Sequence, residues 1–256
     1  MKMHFQSNAF PIKYLKNISK VSQKYFKQFV NIMTKTVVFL GPTLDLESAK
    51  SLFSENVLPT IEFLPPASRG DIEKAAKGGA QFICLIDGVF FEQCSVGHRE
   101  ILHVLRDGIF VMGASSMGAL RASEMETFGM VGIGTVFSLY KNKTIESDDE
   151  VAVVCDPFSN AALSEALVNI RATLDKAAIE NILSNAERNA LFDLASSIYY
   201  PDRTYDYLIQ KAKDEAVLAP DVLIRFEKWV AGGNAVDAKK EDAVLALSFL
   251  NQKLNE

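Results

Sequence analysis

Two adjacent serines, Ser115 and Ser116, stand between a β-rich run, Gly108 to Met112, and a run of helical character, Met117 to Glu124. A serine at such a strand-to-helix turn is exposed for attack on a carbonyl, and the next backbone N–H can stabilise the oxyanion that forms. By spacing Ser116 fits that role, because the small residues Ala114 and Gly118 flank it and the amide of Met117 follows. The elbow motif carries glycine at the first flank, so the match is partial, and either serine can instead N-cap the helix. Ser115 and Met117 then belong to the substrate-binding side of the turn.

His98 opens a helical run that follows Asp87, which itself ends a β-rich run. A neutral imidazole there can take the serine proton, with Asp87 or Glu100 orienting the ring. The plainer alternative is a solvated or capping histidine, and His103 is structural. Arg121, about a turn and a half beyond Ser116, can clamp a substrate carboxylate or pair with Glu124 three residues on. Asp148-Asp149-Glu150, just ahead of Val151 to Val154, can contact a hard cation or a basic partner, or form a solvated turn.

The elements that must position these residues are legible from periodicity. Short β-rich runs (Thr36 to Leu40, Thr60 to Leu64, Phe82 to Ile86, Phe110 to Met112) alternate with helical patterns such as Asp45 to Glu55 and Asp71 to Lys77. That alternation predicts an α/β fold, a mainly parallel sheet flanked by helices, with Val151 to Val154 as a fifth strand. Ligands of such sheets bind beyond the carboxyl ends of the strands. Gly41 and Thr43 after the first strand, Asp87 after the third and the serines after the fourth should therefore share one edge, with Gly41 and Thr43 as substrate-binding residues.

Twelve of the fourteen glycines fall between Gly41 and Gly134, and beyond them the pattern becomes helical. Leu163, Leu167, Ile170 and Leu174 form one stripe, and Ile179, Leu183, Ala186 and Ala190 another. Breaks at Tyr200-Pro201, Ala219-Pro220 and Gly232-Gly233 suggest four or five helices that cover the sheet or make a partner surface. The expected division is a basic extension over residues 1–34, an α/β core over 35–157 and an all-helical region over 158–256.

With 48% apolar and 23% charged residues, and no apolar run long enough for a bilayer, the chain reads as a soluble globular protein. Cys84, Cys94 and Cys155 make an odd count without CxxC spacing, which points to a reducing, cytoplasmic setting and no structural zinc. The net charge of −5 argues against nucleic-acid binding, but Met1 to Thr34 carries six lysines and no acid, leaving −11 on the remainder. Leu15, Ile18, Val21, Tyr25 and Phe29 recur there at helical spacing, which can describe a basic helix on a membrane or partner. The alternatives are an extension before a natural start at Met33, or a cloning remnant at Phe5 to Ala9; a secretory signal is not expected. Neither a P-loop nor a GxGxxG fingerprint is present, so a nucleotide-binding protein ranks low and no cofactor or metal is expected.

In combination, Gly41-Pro42-Thr43-Leu44, Arg69-Gly70-Asp71-Ile72, Ile86 to Phe90, His98 to Leu102, Gly113 to Ala122 and Asp148 to Val153 resemble the core of TfuA-like proteins over about Thr36 to Pro157. The resemblance implies a part in peptide-backbone thioamidation beside a YcaO-type, ATP-dependent enzyme. The TfuA-like partner is thought to hydrolyse the C-terminal thiocarboxylate of a ubiquitin-like sulfur-carrier protein, releasing sulfide for modification of a precursor peptide. That reaction needs the nucleophile, base and oxyanion site proposed above for Ser116, His98 and the Met117 amide. A second expectation is a non-catalytic adaptor that recruits carrier or peptide and activates the YcaO-type partner. The chain departs from many relatives at Arg99, where they have lysine, and an always-protonated arginine cannot shuttle a proton. Ser123 replaces alanine, a change expected to affect packing alone.

Overall fold

The structure, a computed structural model, describes residues 35–90 and 94–256. The basic stretch Met1 to Thr34, with its expected amphipathic helix, lies outside the described residues. Five strands, β1 (Thr36–Phe39), β2 (Ile61–Leu64), β3 (Phe82–Leu85), β4 (Phe110–Ala114) and β5 (Val131–Ile133), form one parallel sheet in the order β2-β1-β3-β4-β5. Helices α1 (Leu46–Ser51), α2 (Asp71–Lys77), α3 (His98–Arg106), α4 (Met117–Met125) and α5 (Thr135–Lys141) connect or follow them. The strand order reverses between β1 and β3, which makes the crevice at their carboxyl ends the switch point of a doubly wound sheet.

Both faces are covered, as the unbroken apolar strands require. Val37, Phe39, Ile83, Leu85 and Val111 point to the face packed by α2, α3, α4 and α5. The intervening residues Val38, Cys84 and Met112 point the other way, against α1 and the last helix, α10 (Ala238–Leu254), through Ala243, Ala246, Leu247 and Leu250. Between α5 and α10 the chain builds a separate helical cluster from α6 (Leu167–Ile179), α7 (Asn185–Ser197), α8 (Tyr205–Asp214) and α9 (Pro220–Trp229), with Ile170, Leu174, Leu191, Leu208, Leu223 and Phe226 at its centre.

The fifth strand is not where the apolar run placed it. Val131-Gly132-Ile133 pairs with β4, while Val151 and Ala152 are buried without joining the sheet. Gly132 hides this strand from a propensity reading, yet a Cβ there would meet the Phe137 ring at 2.1 Å. The helical stripes also shift. Leu163 precedes α6, whose N-cap is Ala166, and is exposed. Ile179 ends α6 and is exposed, and Ser184 with Glu187 starts α7 afresh, so that its buried stripe is Leu191, Leu194 and Ala195.

Candidate functional site

At the switch point Asp87 is buried, and its carboxylate accepts three hydrogen bonds: from Gly41 N at 2.8 Å, Thr43 N at 3.2 Å and Thr43 Oγ1 at 2.6 Å. Gly41, Thr43 and Asp87 are thus brought together, with the carboxylate locking the β1 loop to the β3 end. Gly41 fits because a Cβ there would lie 2.4 Å from Pro66 Cγ.

Next to it, β4 passes into α4 through Ser115 and Ser116 alone. Ser115 has φ of 69°, and Ser116 N donates to Ala114 O at 2.8 Å, one residue either side of it. A positive φ inside an i to i+2 hydrogen bond is the rare, strained form of the γ-turn. The Ser115 side chain is fully buried, and its hydroxyl has no hydrogen-bond partner. Ser116 occupies the N-cap position of α4 and is buried, but its side chain makes no capping bond. Small residues around the turn are required by close packing: a Cβ on Gly118 would lie 1.8 Å from Leu85 O, and one on Gly113 would lie 2.1 Å from Gly118 O.

His98 is directed elsewhere. Its Nε2 lies 2.8 Å from Glu124 Oε2, and the same oxygen accepts from Arg121 Nη1 at 2.7 Å, while Arg121 Nε donates to Val96 O at 2.7 Å. Glu124 is eight residues past Ser116, about 12 Å along the helix axis. The imidazole is 54% exposed on its side chain whereas Ser116 is buried, so the structure joins His98 to Glu124 and Arg121 and does not bring it to Ser116. Glu100 does not hold the ring either; its carboxylate accepts from Gly97 N, Gly70 N and Ile72 N, tying α3 to the start of α2.

The acidic turn, a short 3-10 helix over Asp148–Glu150, faces inward. Asp149 Oδ2 accepts from Arg203 Nη2 at 2.7 Å, and buried Glu150 pairs with Arg171 Nη2. Arg203 is 1% exposed and also donates to Ala195 O and Ile198 O at the end of α7. Two of the three acids therefore bind arginines of the helical cluster. Among the described residues no group of three or more His, Cys, Asp or Glu is placed to hold a metal ion.

Sequence reasoning missed a cavity of about 250 Å³ against the Thr43 loop, lined by Glu165, Asn169, Tyr205, Asp237 and Lys239 among others. Lys239 is buried on the first turn of α10, and its Nζ donates to Val151 O at 2.8 Å. Burial lowers its pKa, against the pull of Asp87, Asp237 and Glu165. Burial likewise raises Glu165 above the ordinary carboxylate range. No periodic signal marks these residues, because they come from loops and helix starts far apart in the chain.

A doubly wound α/β protein that concentrates buried polar groups at its carboxyl edge and carries a helical cluster ahead of its last helix is the class these features define. Residues 87–204 match the family model described as TfuA-like protein, the family the sequence resembles. The match runs from Asp87 to Thr204, so it takes in α6 and α7 as well as the serine turn, and it leaves out β1 and β2, where the sequence resemblance was also expected. This match is consistent with a thioamidation-related role. No curated protein matches the chain. Among the described residues no helix is long and apolar enough to cross a membrane.

Proposed function

We propose that the chain is the sulfur-delivery component of peptide-backbone thioamidation, hydrolysing a thiocarboxylated sulfur-carrier protein for a YcaO-type enzyme. The observation that supports this reading is the strained Ser115 turn with its unpartnered buried hydroxyl, inside the family-matching span. Strain and unsatisfied polar groups persist where the surroundings over-determine them, most often at reacting sites. In this reading the serine hydroxyl adds to the thiocarboxylate carbon and the carbon–sulfur bond breaks, releasing hydrogen sulfide. Water then cleaves the acyl-serine to a carboxylate and restores the hydroxyl. Ser115 has no exposed surface, so the carrier terminus reaches it through a local opening of the sheet edge.

A second reading, the non-catalytic adaptor, is favoured by the exposed His98, whose imidazole pairs with Glu124, about 12 Å along the helix from Ser116, and is better suited to touching a protein than to serving that serine. Sulfide release from a thiocarboxylated carrier, measured with the purified full chain, separates the two. Hydrolysis predicts that Ser115→Ala or Ser116→Ala lowers release by about 100-fold or more with the melting transition retained. Undiminished release in both variants rejects the serine assignment. Unchanged release but lost YcaO stimulation in His98→Ala assigns that network to docking.

A further inference from the structure

The cavity beside the Thr43 loop is lined by none of the serine-turn or His98-network residues, and the hydrogen bonds around it decide what it can hold. Lys239 Nζ donates to Val151 O at 2.8 Å. Asn169, buried itself, donates from Nδ2 to both Glu165 Oε1 at 2.8 Å and Asp237 Oδ1 at 2.9 Å, while its Oδ1 accepts Lys239 N at 3.1 Å. One amide thus holds two carboxylates side by side. Their remaining intrachain bonds fall on the same two oxygens, Glu165 Oε1 from Ala166 N and Asp237 Oδ1 from Lys240 N. Among the described residues nothing donates to Glu165 Oε2 or Asp237 Oδ2.

A second, independent feature lies at the mouth. Leu163, on the cavity wall, is 57% exposed. A large apolar side chain left in water on the wall of a polar cavity fits a ligand with an apolar body and a polar end. We propose that this cavity binds a primary ammonium group, a lysine side chain or an amino terminus, on a peptide with apolar neighbours. The ammonium donates to the two open carboxylate oxygens and relieves the repulsion between them, while Leu163 covers the adjoining residue. This assignment goes beyond the hydrolytic reading and does not depend on it.

Calorimetric titration of the full chain with acetyl-Leu-Lys-amide, acetyl-Leu-norleucine-amide and Leu-norleucine-amide tests it, the third probe distinguishing an amino terminus from a side chain. At least one ammonium probe should bind about ten-fold or more tightly than the acetylated norleucine peptide. Glu165→Gln retains the acceptor used by Asn169 and Ala166 and should weaken that binding about ten-fold. Leu163→Ser, at an exposed position, should weaken it several-fold while leaving the fold intact. Wild-type affinity should rise with pH as the Glu165 carboxyl, which faces Asp237 and Lys239, loses its proton, and Glu165→Gln should flatten that rise. Equal affinity for all three probes overturns the proposal, as does wild-type affinity in folded Glu165→Gln. Tighter binding of an acetylated norleucine carboxylate that is abolished by Lys239→Met would make this an anion site instead.

Discussion

At the carboxyl edge of the sheet Ser115 sits at a φ of 69° with a buried hydroxyl that bonds to nothing. In the joint between sheet and helical cluster, the equally buried Arg203 guanidinium reaches Asp149, Ala195 O and Ile198 O. Both places bury polar atoms. The joint satisfies those of Arg203 and stays in relaxed geometry, whereas the edge leaves one unsatisfied and holds it there through glycine-tight packing. The Glu150–Arg171 pair is intermediate, since Glu150 Oε2 and Arg171 Nε are buried without partners while the guanidinium stacks on the Phe192 ring at 4.1 Å. The contrast separates polar groups that hold the fold from polar groups that the fold holds for another purpose.

The sharpest way to break that comparison is to crowd the edge. Gly118→Ala places a Cβ against Leu85 O, and it should cost about 4 kcal/mol or abolish folding, read from the urea midpoint. A loss below about 1 kcal/mol would mean the edge yields easily, and the strain argument would fail with it. At the joint, Arg203→Met strips Asp149 and Ile198 O of their donor and should cost about 3 kcal/mol. Replacing both Glu150 and Arg171 by methionine should change stability by no more than about 1 kcal/mol, because the pair is incompletely satisfied.

Ser115→Gly sharpens the comparison in the opposite direction. Glycine adopts a positive φ freely, so the variant should be about 1 kcal/mol more stable while losing sulfide release if the hydroxyl reacts. A separate, pH-dependent effect concerns Asp242, whose buried carboxylate accepts from Thr135 N at 2.7 Å and Val136 N at 2.7 Å. Burial raises it from 3.8 to about 7. The folded state therefore binds this proton more tightly than the unfolded chain, and the contribution is full below about pH 4 and is lost as pH rises to about 7. Subtracting the pH–stability curve of Asp242→Asn from that of the wild type should show this fall and nothing further above neutrality.

The resemblance and the strand-to-helix turn were readable because they are local: consecutive residues carry them. Asp87 and Ser116 follow adjacent strands, and alternating β and α runs imply parallel crossovers that place such loops at one edge. The partner of His98 was not readable. Helical spacing pairs Arg121 with Glu124, but nothing in spacing says that α3 and α4 pack so that His98 meets that carboxylate in preference to a serine.

The sequence by itself determined a parallel α/β sheet, the tight glycine and serine turn after β4 and the helical character that follows, since periodicity and steric demand act within a few residues. Only the tertiary structure decided that β5 is Val131–Ile133, that α10 returns across about a hundred residues to cover the sheet, and that Asn169 gathers Glu165 and Asp237 into a cavity. Those outcomes rest on buried contacts and charges between distant segments, whose strength comes from desolvation and geometry that exist once the chain has folded.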